Sequence, residues 1–148
     1  MPVERLNLSA ADLGASFTLR AEAPLALSNN AVRETSERMF SAPATAVKSR
    51  VLVFKKYLTD TPASLTRLSE QWARNEIKTA EEFRPMRLLC TDRASFESFS
   101  NGRGTAEGYV VALVKRNVLV SLLSFGKPGD VRPAGVAEWA CTIFNRVH

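Results

Sequence analysis

Few residues in this sequence are suited to covalent or proton-transfer chemistry, and their spacing does not bring them together. Acyl transfer by a Ser–His or Cys–His pair needs an imidazole beside the nucleophile to accept its proton. The one histidine, His148, is the last residue, and a terminal side chain is expected to fray into solvent. Zinc wants about four Cys, His or carboxylate ligands, yet Cys90 and Cys141 stand far apart with no CxxC or HxxxH partner. Neither Gly102-Arg103-Gly104 nor Gly126-Lys127-Pro128-Gly129 has the glycine spacing of a phosphate cradle. The acidic neighbours Glu81-Glu82 and Asp92 with Glu97 read most simply as solvated loop charges, with acid/base work a minority reading. No catalytic residue, metal site or cofactor is expected.

Recognition is harder to set aside than catalysis. Trp72, Trp139, Phe96, Phe99 and Tyr109 are able to line an apolar pocket between sheet and helices, with Arg50 or Arg87 as a polar anchor. The ligand-binding candidates are thus Arg50, Trp72, Arg87 and Tyr109. Against them stands the simpler reading that both tryptophans fill the core from their helices. Lys48, Arg50 and Lys56 fall on one face of a predicted strand with Lys55 on the other, so any basic stripe there is partial.

The elements that must position these residues follow from periodicity. Ser9 to Gly14 has a capping serine, an acidic first turn and a glycine stop, predicting one helical turn. Ser16 to Ala21 alternates Phe17 and Leu19 with Thr18 and Arg20, the pattern of a half-buried strand. Val32, Ser36, Met39 and Phe40 recur at helical spacing, predicting a helix from Asn30 through Met39, closed by Pro43. Val47 to Leu58 predicts a strand whose centre, Val51-Leu52-Val53-Phe54, is covered on both faces. Thr61-Pro62 opens a helix to about Lys78 with Leu65, Leu68 and Trp72 inward.

Arg84 to Thr91 predicts a strand begun by Pro85. Ser95 to Gly104 fits a helix, a strand or an aromatic-tethered loop, and residues 92–106 stay open, apart from the turn at Asn101 to Gly104. Tyr109 to Val114 and Val118 to Phe125 predict a hairpin with the three-residue loop Lys115-Arg116-Asn117, Asn117 taking the left-handed conformation. Pro133 starts a last helix that buries Val136, Ala140, Ile143, Phe144 and Val147, flanked by Trp139. The sum is an α+β fold: a mainly antiparallel sheet with a C-terminal β-hairpin, packed by three amphipathic helices. Cys90 in a strand and Cys141 on the last helix permit a disulfide. Two separately packed thiols are nonetheless expected, because cysteine is so often buried.

At 148 residues the chain suits one domain, 1–148. Its longest apolar run is broken by Lys115, Arg116 and Asn117, short of the roughly 20 residues a membrane helix needs. The net charge of +5 is spread evenly, with ten basic and seven acidic residues in 1–74 and ten and eight in 75–148. Without clustering, nucleic acid is not the expected partner. Met1 to Ala10 has none of the features of a signal peptide. The chain is therefore expected to be cytoplasmic or the mature part of an exported protein behind an added start Met, the latter preferred.

The layout of Leu8 to Gly14, the Phe17 and Leu19 strand, the Val47 to Phe54 strand and the Val110 to Leu122 hairpin with its basic turn and Asn117 resembles small exported or lipoprotein-type domains of bacteria. That resemblance implies a non-catalytic binding or accessory domain of the cell envelope, with a small molecule or a protein as partner. The alternatives are a small enzyme using Arg, Lys, Asp or Glu on an anionic substrate, and a subunit that serves a protein–protein interface.

Overall fold

The computed structural model describes residues 2–148. Seven strands form one sheet in the order β1-β2-β3-β7-β6-β5-β4, every neighbouring pair antiparallel. They are β1 Thr18–Ala23, β2 Val32–Ala42, β3 Thr45–Phe54, β4 Glu81–Met86, β5 Ala94–Ser100, β6 Glu107–Lys115 and β7 Val118–Gly126. Two single-turn helices, α1 Val3–Leu6 and α2 Ala10–Leu13, precede the sheet. Two long helices, α3 Pro62–Glu76 and α4 Pro133–Arg146, lie on opposite faces of it. The α+β class, the antiparallel sheet and the C-terminal hairpin agree with the sequence reading.

The face under α4 holds the main core. Val136, Ala140 and Ile143 meet Val47, Val51, Val111, Leu113, Val120 and Leu122, and the N-terminal helices add Val3, Leu6 and Leu13. Buried Asn7 ties the start of the chain to the sheet. Its Nδ2 donates to the Ser36 carbonyl (3.2 Å) and hydroxyl (3.1 Å) and to the Ser49 carbonyl (3.3 Å), while its Oδ1 accepts from Leu8 N–H and the Ser49 hydroxyl. A polar side chain is tolerated in a core when its donors and acceptors are all answered in this way. Arg146 of α4 closes the arrangement, donating to the Asn7 carbonyl and to Asp12. Burial on its own would raise the Asp12 pKa, but the hydrogen bond and charge of Arg146, together with Ser9, hold it below the ordinary value.

Several expectations need correction. Residues 32–42 form a strand, not a helix: β2 pairs with β3 from Val32↔Phe54 to Ala42↔Thr45 through a two-residue turn at Pro43-Ala44. Ser36 and Phe40 share a face at either period, Met39 turns to the other, exposed face, and the long partner strand decides for the strand. β1 is exposed along its whole length because it is the sheet's edge and neither long helix reaches it. β3 ends at Phe54, so Lys55 and Lys56 lie beyond it. Leu68 is 38% exposed, and Ser69 and Ala73 complete the inner face of α3 in its place.

β4 begins at Glu81 and carries Pro85 near its end rather than at its start. An edge strand tolerates a residue that cannot donate. Ser95 to Ser100 belongs to β5. The β6–β7 loop has two residues, since Lys115 pairs with Val118, and Arg116 rather than Asn117 takes positive φ (57°). Two-residue loops need that backbone sign at their first position to follow the strand twist. The Asn117 side chain is used elsewhere, donating to the Phe54 carbonyl at 2.8 Å. Cys90 and Cys141 form a disulfide with Cα atoms 5.9 Å apart. Chain folding brings the loop after β4 against α4, which no sequence spacing encodes.

Candidate functional site

The α3 face of the sheet is built differently. Thr61 and Ser64 form a reciprocal capping box, and Pro62 opens the helix. α3 packs over β5, β6 and β7 with Leu65 on Ala112, Val114 and Leu119, and Trp72 on Phe99, Val110 and Leu123. Its far side leaves β3 and β2 uncovered. There, between α3 and residues 25–27, runs an open groove of about 430 Å³. Leu52 and Leu119 are in its lining, with Leu68 and Trp72 from the helix and Leu25 and Leu27 from the connecting segment. The segment is pinned to β2 by the Leu25 N–H, which donates to the Thr35 hydroxyl at 2.7 Å.

Arg50 stands in this groove, its guanidinium 4.6 Å from the centre of the Trp72 ring. Glu37 on β2 pairs with it directly, and Glu76 of α3 lies 3.6 Å away while also holding Lys48 at 3.0 Å. The cation–π stack and two carboxylates leave little uncompensated charge on Arg50. Gln71, Asn75 and Ser121 supply neutral polar groups to the same groove. Its chemistry is therefore that of an apolar trough with uncharged hydrogen-bonding groups and one neutralised cation.

Of the four candidates read from sequence, Arg50 and Trp72 meet here, and the other two do not. Tyr109 is buried on the opposite face, 6.2 Å from Phe96 between ring centroids, and burial raises its pKa. Arg87 lines a separate apolar hollow of about 420 Å³ beside the disulfide, with Met86 and an 85% exposed Leu89. Trp72 is both core and groove wall, whereas Trp139 is half-buried against Phe17 at 5.6 Å.

One group was misread altogether. Glu97 is not a solvated loop charge beside Asp92 but a strand residue, 4% exposed, facing α3. Burial above all, and then a hydrogen bond and like charge from Glu70, push its pKa up to about 8. One of its oxygens has no hydrogen-bond partner in the protein, nor do the Ser69 hydroxyl and Trp72 indole N–H beneath the same helix. Alternation of Ser95, Glu97 and Phe99 was the available signal, because on a central strand it turns Glu97 toward the helix that Phe99 faces. Neither Glu97 nor Glu70 lines the groove.

The fold and the groove together define an α+β sheet domain with a partly uncovered sheet face. No family model matches the chain, and no curated protein matches it. Among solved structures it is similar to the extracellular domain of PknH from Mycobacterium tuberculosis, with TM-score 0.65 and 10% identity over 98% of this chain and 94% of that one. At that identity the likeness is one of fold. It agrees with the layout's resemblance to exported domains and identifies no family.

Proposed function

We propose that the chain is a one-domain, non-catalytic binding module of the bacterial cell envelope, taking its ligand in the groove between α3 and residues 25–27. The observation that carries this reading is the groove itself, where leucines surround Arg50 and Trp72 and Arg50, the one cation among the described lining residues, is already neutralised. A small molecule that is apolar along its length and offers neutral polar groups to Gln71, Asn75 and Ser121 fits this lining. The Cys90–Cys141 disulfide and the extracellular origin of the PknH domain support an oxidising compartment outside the cytoplasm. The burial of Glu97 beneath α3 supports binding over acid/base chemistry on an anionic substrate, since a catalytic acid must reach its substrate.

Titration of isotope-labelled protein with neutral single-chain amphiphiles of increasing length tests the reading. Amide shifts should concentrate at Leu52, Leu68 and Ser121, and Leu68→Glu should weaken binding at least tenfold with the fold intact. Shifts confined to other surfaces, or binding indifferent to Leu68→Glu, would reject the groove as the site.

A further inference from the structure

Evenly spread in sequence, the positive charge is not even in space. One end of the sheet gathers the segment after β3, the β6–β7 turn and the residues entering β5, and backbone bonds hold these three together. Lys55 N–H donates to the Ala31 carbonyl (2.9 Å), Leu58 N–H to the Arg116 carbonyl (2.8 Å) and Val114 N–H to the Arg93 carbonyl (3.2 Å). The Arg93 guanidinium donates to the Leu58 carbonyl at 2.8 Å. Between these fastenings Lys55, Lys56 and Tyr57 project outward, Tyr57 being 71% exposed.

Among the described residues, ion pairs engage Arg38, Lys48, Arg50, Arg74 and Arg146 but none of Lys55, Lys56, Arg93 and Arg116. The fifth cation here, Lys115, is held by the Phe144 carbonyl and ring. Asp60 and Asp92, on the same segments, and exposed Glu34 near the start of β2 pair with none of them. The other end of the sheet carries Glu81, Glu82, Glu107 and Asp130 against Lys78, Arg103, Lys127 and Arg132. Beside the free lysines lies an apolar hollow of about 420 Å³, lined by Ala31, Phe54, Tyr57 and Leu58.

We infer that this end of the molecule docks on the surface of an anionic phospholipid bilayer, with Lys55, Lys56, Arg93 and Arg116 on headgroup phosphates and Tyr57 at headgroup depth. Unpaired cations keep their full attraction for a negative surface, and an aromatic ring with a polar tip is at home in the interfacial layer. The hollow accepts the first methylenes of a lipid chain. A single-stranded nucleic acid would call for several stacking aromatics along a basic groove. Here Tyr57 is the sole exposed aromatic among the described residues of this end, and the disulfide suits an oxidising compartment outside the cytoplasm. The inference shares that compartment with the proposed function and does not require the groove to bind anything.

Co-sedimentation with unilamellar vesicles tests it, using phosphatidylglycerol mixed into phosphatidylcholine and phosphatidylcholine alone. Expected is salt-sensitive binding to the anionic vesicles and none to the neutral ones. The double variant K55E/K56E should lower the partition coefficient at least about 25-fold, at roughly fivefold for each cation removed. Y57A should lower it several-fold, and K127E at the opposite end less than twofold. All the altered side chains are exposed, and circular dichroism with thermal melting verifies that each variant folds. Equal binding to neutral vesicles, an equal loss from K127E, or displacement from vesicles by a single-stranded oligonucleotide at comparable charge concentration would each overturn the proposal. Loss of groove binding in Leu68→Glu with vesicle binding retained would separate the two readings.

Discussion

The two faces of this sheet are made from the same strands and put to different uses. Under α4 the strands present valines and leucines to an apolar helix, the N-terminal turns seal the rim, the buried Asn7 is fully bonded, and a disulfide ties the β4–β5 connection down. Under α3 the helix covers only part of the width. Its interface includes the buried Glu97 carboxyl beside the half-buried Glu70, and unpartnered polar atoms, and its outer edge is a groove. Apolar burial and answered polar groups stabilise, whereas unanswered ones cost free energy. The difference teaches that stability is concentrated on one face and that the other gives up some of it for an accessible surface.

The sharpest way to break the comparison is to truncate one side chain from each face. Ile143→Ala, in the fully buried centre of α4, should destabilise by roughly 2–5 kcal/mol in urea denaturation. Leu68→Ala on the groove side should cost less than about 1 kcal/mol, because much of that side chain already meets water. Comparable losses would mean that the faces are not unequal.

Replacing both Cys90 and Cys141 by serine tests the same face through its covalent tie, which spans a sequence separation of 51. A loss of about 2–4 kcal/mol is expected, together with faster hydrogen exchange in the loop after β4. Exchange that instead quickens across α3 would place the tie's influence on the wrong side.

The smallest effect is the most specific. Glu97 has a folded-state pKa raised to about 8 from 4.5, so the folded protein binds a proton that the unfolded chain releases. Its contribution is fully present below the unfolded value and is lost as pH rises toward 8. Glu97→Gln should therefore raise the melting midpoint at pH 8, change it little at pH 4, and flatten the profile between them. An unchanged slope from pH 5 to 8 would remove the carboxyl pair from the account of the α3 face.

Local chemistry made much of the fold legible. Ser9 with Asp12, and Thr61 with Pro62, announced helix starts because capping involves residues within one turn of each other. The β6–β7 hairpin and α4 were equally plain, their patterns being strong and uninterrupted. β2 was not, since Ser36 and Phe40 satisfy two periods and only pairing with β3 chooses one. Arg50 and Trp72 were the right residues for the groove, and Tyr109 and Arg87 were not, because residue type says nothing about which face a strand turns toward which helix.

By itself, then, the sequence determined the class of fold, the starts of α2, α3 and α4 and the hairpin, all of which depend on neighbours along the chain. Tertiary structure alone decided the rest. It made a strand of β2, joined Cys90 to Cys141, buried Glu97 against Glu70, neutralised Arg50, and gathered Lys55, Lys56, Arg93 and Arg116 at one end. Each of these is a meeting of residues distant in sequence, and such meetings are set by sheet order and helix placement, to which a local pattern carries no information.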